Sequence, residues 1–245
     1  MQKAFYVALA GFLVLAMGAG CVSKIGSSGF SAQKWLETRW IMEVISSAEM
    51  GDTKLQVIRW TRPVVIVAEN GSPEQMKALE QAVAEIRLVL DGAHTVTLAA
   101  KGTDQAKTAS VHVRFAANGD WESLAKGWGL NIGRPPSGMD GAQFIRWNGR
   151  MEIEAGYVLI GEKLTGDLLR HTVLEELYQT LGVRNDSGFF PDSIVYESGG
   201  DTGGLNRLSE RDKKLLRFLY QHVPTGTRPD ALARLIDKHW VYGVK

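Results

Sequence analysis

Residues 170–186 read R-H-T-V-L-E-E-L-Y-Q-T-L-G-V-R-N-D, and no other run constrains the fold as tightly. Leu168, Leu169, Val173, Leu174, Leu177 and Leu181 recur at helical spacing and predict an amphipathic helix. Thr165 is placed to cap its start. Asp167 complements the positive end of its dipole, and Gly182 stands where a left-handed residue ends a helix. His171, Glu175 and Gln179 succeed one another at helical i, i+4 steps and share a face, with Glu176 on the adjacent one. The polar pair Asn185-Asp186 comes after the stop.

A chain of 245 residues is long enough to bury one well-formed domain. Its formal net charge of +1 leaves no electrostatic footprint for nucleic acid. The single cysteine, Cys21, excludes an intrachain disulfide and a cysteine-based zinc cluster. At the start of the chain Lys3 precedes an apolar run over residues 4–17, and Gly18-Ala19-Gly20 then lead into Cys21. That pattern predicts a secretory signal over residues 1–20. It also resembles a bacterial lipobox, from which it departs in having Gly18 where an aliphatic residue is usual. The resemblance implies lipidation of Cys21, a tether over residues 21–31 and an exported chain held to a membrane by its lipid. Each buried acyl CH₂ adds roughly 0.8 kcal/mol to such an anchor. The alternatives are an uncleaved anchor, or cleavage that leaves a free thiol. Neither Val22 nor Ser23 is an aspartate retention signal, which favours the periplasmic face of an outer membrane. No second run reaches transmembrane length.

Residues 32–50 predict a helix with Trp35, Ile41, Met42 and Ile45 on one side, most simply docked on the main domain. Residues 54–68 carry a strand whose β-branched run, Val64 to Val67, suits burial on both faces. Ser72-Pro73 then opens a helix with Met76, Leu79, Val83, Ile86 and Leu90 inward. Short strands come next at residues 95–99 and 110–116, on either side of a polar loop. Residues 118–141 are rich in Gly, Pro and Trp and predict an irregular loop. Residues 143–160 predict a hairpin turning at Asn148-Gly149. Residues 199–204 read as a flexible glycine loop, residues 207–222 as a helix and residues 224–245 as an amphipathic tail. Interleaved strands and helices make the class α/β (α+β), with a mixed sheet, a main domain over residues 51–223 and a C-terminal helical part.

The central run resembles the zinc-binding helix of the metzincin metallopeptidases, whose pattern is H-E-x-x-H-x-x-G-x-x-H with a Met-turn after it. Glu175 takes the first histidine's place, Glu176 that of the general base, Gln179 the second histidine's, Gly182 the glycine's and Asn185 the third histidine's. Ser-Ile-Val-Tyr at residues 193–196 resembles the Met-turn with Val195 in the methionine's place, and residues 208–220 resemble the superfamily's C-terminal helix. A nearer resemblance, over residues 60–220, is to a bacterial domain family of unknown function found in lipoproteins, whose members carry the E-E-L-x-Q-x-L-G-x-x-N-D stretch. These resemblances imply a zincin-like fold with its ligands replaced. They also imply an edge strand before the helix that is able to pair with peptide.

Zinc needs borderline-soft ligands and an open position for water. Glu175, Gln179, Asn185 and Asp186 form instead a hard, oxygen-only set that suits calcium better than zinc. The expectation is therefore no catalytic metal. Zinc or calcium remains the alternative, with His171 and Glu175 as a four-residue-spaced pair aided by Asp186 or Glu197, and with Glu176 catalytic only in that case. Otherwise Glu175, Glu176, Gln179, Asn185 and Asp186 form a polar network in a wet cleft or one neutralised by Arg170 or Arg184, because unpaired buried carboxylates cost several kcal/mol. Three functions are open to such a chain: peptide or envelope-protein binding or scaffolding, a metal-dependent peptidase, or a lipoprotein with no cleft ligand. No Gly-x-Ser-x-Gly elbow or dinucleotide fingerprint is present.

Overall fold

A computed structural model of the chain describes residues 32–46, 56–133, 135–136, 138–197 and 204–243. Cys21, the signal over residues 1–20, the tether and residues 199–203 of the glycine loop lie outside the described residues. The β-branched run forms β1, Val64–Ala68, and it is almost wholly buried. Four further strands join it: β2 (Val96–Ala99), β3 (Val111–Ala116), β4 (Gly141–Trp147) and β5 (Ile153–Gly161). The sheet order is β2-β1-β3-β5-β4, with every pairing parallel except the antiparallel β4–β5 pair. The mixed α/β class expected from the sequence is therefore observed, and β4 is an edge.

Six helices surround the sheet among the described residues: α1 (Ala32–Ser46), α2 (Pro73–Val89), α3 (Trp121–Gly127), α4 (Gly166–Thr180), α5 (Glu210–His222) and α6 (Pro229–His239). Helix α2 makes the β1-to-β2 crossover and starts on a capping box. The Ser72 hydroxyl accepts from Gln75 N, and the Gln75 side chain accepts from Ser72 N at 2.8 Å. Helix α4 packs against α2, β4 and β5. Leu169, Val173, Leu174 and Leu177 are buried in the main core, each worth roughly 1.5–3 kcal/mol. Helix α1 and helix α6 pack together, and both feed that same core through Trp40, Ile41, Leu232, Ile236 and Trp240. Glu37, fully buried, holds the two ends: it accepts from Trp240 Nε1 at 2.6 Å, Gly243 N at 3.0 Å and Gln33 Nε2 at 3.0 Å.

Two local expectations are corrected. The irregular loop at residues 118–141 contains α3, because Trp121 is wholly buried in a second apolar cluster with Phe144, Tyr157 and Leu159, and its indole donates to Ala116 O at 3.1 Å. The β4–β5 hairpin does not turn tightly at Asn148-Gly149. Residues 148–152 link the strands. Asn148 Oδ1 accepts from Arg150 N at 2.8 Å and from Glu152 N at 3.2 Å, and Met151 takes the positive φ of 62°. The strand expected within residues 54–68 is β1. Segment 56–60, ahead of β1, lies against the end of α4, where Trp60 Nε1 donates to Thr180 O at 2.9 Å.

Candidate binding cleft

Helix α4 ends where its sequence says it should. Gly182 adopts φ 104°, and the Ile58 carbonyl sits where a Cβ would project, so this position needs glycine for both conformation and space. The helix's last carbonyls find buried donors: Trp60 Nε1 on Thr180 O, and Tyr220 Oη on Leu181 O at 3.0 Å. Beyond the glycine the chain turns onto the end of α1. Arg184 N donates to Val44 O at 2.7 Å, and Asn185 Nδ2 donates to Glu43 O at 2.8 Å. Asn185 is thus a C-terminal cap for α1 and does not line the cleft, which corrects its expected place in the polar network.

The remaining members of the set do come together. A cleft of about 190 Å³ opens between α4 and segment 138–142, lined by His171, Thr172, Glu175, Glu176, Gln179, Asp186 and Glu197, with Asp140 and Gly141 opposite. Leu168, expected in the buried stripe, is 45% exposed and sits at the mouth, because α4 turns this side to the cleft. Gly141 lets the walls meet: a Cβ there would overlap Glu176 Oε1 and Thr172 Cγ2. Gln179 Nε2 donates to Asp186 Oδ1 at 2.7 Å, so the amide at the second-histidine position is held by a carboxylate from the turn beyond the helix. Arg170 pairs with Asp167 at 2.7 Å and is no counterion for the cleft. Among the described residues no lysine or arginine lines it.

His171 is 2% exposed and anchored on one side only. Its Nδ1 faces Leu205 O at 2.5 Å; a carbonyl only accepts, so Nδ1 carries the hydrogen. This partner lies in the loop before α5, well beyond the helix that carries His171. Nε2 is buried, makes no hydrogen bond, and lies 3.3 Å from Glu175 Oε2. Burial pushes the His171 imidazole down, but pairing with Glu175, the Leu205 carbonyl and the charge of Asp140 outweigh it, and the net shift is upward. Burial pushes Glu175 up. The charge of Glu197 adds to this, and His171 pulls it back only in part. The pair therefore holds a proton more tightly than its members would in water.

The Met-turn-like segment is locked from below. Ser193 Oγ donates to Asp212 Oδ1 at 2.6 Å and Ile194 N to Asp212 Oδ2 at 2.9 Å, while Ser209 N caps α5 on the same carboxylate at 3.0 Å. Burial raises the Asp212 carboxyl, and these donors only partly offset it. Val195 is wholly buried in the core. Among the described residues no group of three or more His, Cys, Asp and Glu side chains is disposed to hold a metal ion.

Sequence reasoning missed the opposite wall, Asp140 and Gly141, because both fall in the stretch read as an irregular loop, just before the hairpin expected over residues 143–160. The available signal was a carboxylate set in the turn-forming run Gly138-Met139-Asp140-Gly141.

Residues 36–238 match the family described as "Protein of unknown function (DUF2927)", and the chain belongs to that family. No curated protein sequence matches it. Two structures of myroilysin are similar in fold, each at 12% identity. One has a TM-score of 0.38 and covers 66% of this chain and 95% of that one. The other has a TM-score of 0.39 and covers 72% and 94%.

Proposed function

We propose that this DUF2927 chain is an envelope lipoprotein, anchored through Cys21, whose metzincin-like domain binds a peptide or envelope-protein partner without hydrolysing it. One observation carries the reading: the side chains at the three histidine positions are Glu175, Gln179 and Asn185, and two of them are used up by the fold. Gln179 is tied to Asp186, and Asn185 caps α1. An amide engaged in this way supplies no imidazole-like ligand, and without a metal Glu176 has no bound water to deprotonate at neutral pH. The cleft itself persists between α4 and segment 138–142, beside the start of the edge strand β4, whose outer side no described strand covers. An extended partner strand added there would gain main-chain hydrogen bonds.

A second reading has one observation in its favour. His171 and Glu175 approach to 3.3 Å in the cleft, which suits a His/carboxylate metal pair one turn earlier on α4. In that reading the chain is a metal-dependent peptidase with Glu176 as base. The two separate on peptide hydrolysis by the full chain in detergent, with and without added Zn²⁺. Binding without turnover supports the first reading. Turnover that vanishes in Glu176→Gln, with its melting temperature unchanged, would overturn it.

A further inference from the structure

Helix α1 packs on the core through one side only. Trp35, expected on that side, is instead 46% exposed, while Trp40, Ile41, Val44 and Ile45 carry the packing. The Arg39 guanidinium, one turn further on, lies 5.2 Å from the centre of the Trp35 ring. Both carboxylates of α1 are taken up by the fold: Glu37 is fully buried, and Glu43 Oε2 accepts from Ser187 Oγ at 2.6 Å. Segment 240–243 crosses the same end of the helix. Gly243 N donates to Glu37 Oε1 at 3.0 Å, and Tyr242 Oη meets Thr38 Oγ1 at 3.3 Å. This segment adds Val241, 72% exposed. Lys34 stands there too, paired with Asp237 at 2.8 Å and lying 5.2 Å from the Tyr242 ring centre.

We propose, resting on the lipid anchor at Cys21, that the outer face of α1 docks on the headgroup layer of the anchoring membrane through Trp35 and Arg39. Position in the chain selects this occupant. Ala32, the first residue of α1, follows Cys21 by 11 residues, a span of at most about 40 Å when fully extended. Of all the described elements, α1 is therefore the one an acylated Cys21 holds nearest the bilayer along the chain. The chemistry agrees. An indole puts an apolar body and an N–H donor at the boundary between acyl chains and headgroups, and a guanidinium pairs with lipid phosphate. Size agrees as well. An exposed tryptophan and an exposed valine fall far short of the roughly 800 Å² a side that a stable protein interface covers. They suffice for a surface that the anchor has already brought within reach, because docking is then intramolecular.

The test uses the full chain isolated from a membrane fraction, with intact-mass measurement to read acyl groups on Cys21. The chain is reconstituted into vesicles of phosphatidylethanolamine and phosphatidylglycerol, with plain acyl chains or with chains brominated near the headgroup, which quench tryptophan on contact. Trp40, Trp60 and Trp121 are fully buried and Trp240 is 4% exposed, so their emission lies out of the bromine's reach. Quenching is expected, and it should fall at least about threefold in Trp35→Phe, with the melting temperature unchanged because this side chain packs outside the core. Arg39→Gln should weaken docking about fivefold where phosphatidylglycerol is present, and less where it is left out. An acylated chain whose quenching is absent, or survives Trp35→Phe undiminished, would overturn the docking and leave the anchor standing. A chain without acyl groups on Cys21 would overturn the anchor and the docking together.

Discussion

Gly182→Ala isolates the geometry that ends the central helix. At φ 104° an alanine sits in a region that L-residues rarely occupy, at a cost of about 1–3 kcal/mol. Its Cβ would also run into the Ile58 carbonyl, a backbone group that cannot rotate away, and overpacking of that kind adds about 1–3 kcal/mol. The expected loss is therefore about 2–6 kcal/mol, or a fall in melting temperature on the order of 10 °C for a chain of this size. Gly129→Ala is the control. Gly129 also has a positive φ, 75°, but an added Cβ would meet nothing within 4 Å, so only the backbone cost applies. Part of that cost is offset by the stiffer unfolded chain. Thermal and urea unfolding followed by circular dichroism would compare the two. If Gly182→Ala lost no more than Gly129→Ala, the close packing of segment 56–60 on the end of α4 would be refuted.

Three other contacts lead to measurable outcomes. Glu37→Ala leaves the Trp240 indole and the Arg211 guanidinium, 3.8 Å from Glu37 Oε1, without their buried carboxylate, and should cost about 3–5 kcal/mol in urea unfolding; a loss below about 1 kcal/mol would show that α1 and α6 are not tied through it. Trp60→Phe removes the indole donor from Thr180 O and should cost about 1–3 kcal/mol, with a stability equal to wild type as the contrary result. His171 and Glu175 both have raised pKa values in the folded chain, above the ordinary 6.5 and 4.5. A raised group stabilises fully below its unfolded value and loses that contribution as pH rises through its folded value, so both act in the same direction. The stability advantage of the wild type over His171→Gln/Glu175→Gln should therefore shrink from mildly acidic to mildly alkaline pH, and an advantage that grew instead would contradict the pairing.

The sequence was most legible where one local rule and the tertiary packing agreed. The β-branched run became β1, Ser72-Pro73 opened α2 through a capping box, and Gly182 ended the central helix. It was least legible where a distant partner decided the outcome. Trp121 makes α3 because a second apolar cluster waits on the sheet, which no local period reports. Asn185 reads as a ligand position by spacing alone, yet its amide is taken by a carbonyl 142 residues earlier in the chain. Leu168 fits the apolar stripe by periodicity and lies at the cleft mouth because α4 is packed on its other sides. The face formed by His171, Glu175 and Gln179 was readable from helical geometry. The wall formed by Asp140 and Gly141 was not, since it comes from a separate segment joined to α4 only by the folding of β4.

Whether helix α4 frames its cleft without holding a metal is decided by elemental analysis. The full chain would be purified in detergent without chelator, challenged with Zn²⁺ and Ca²⁺, and desalted before measurement. No stoichiometric metal is expected to remain. About one zinc per chain, lost in His171→Gln or Glu175→Gln, would contradict the metal-free cleft and restore a metal-dependent hydrolase as its function.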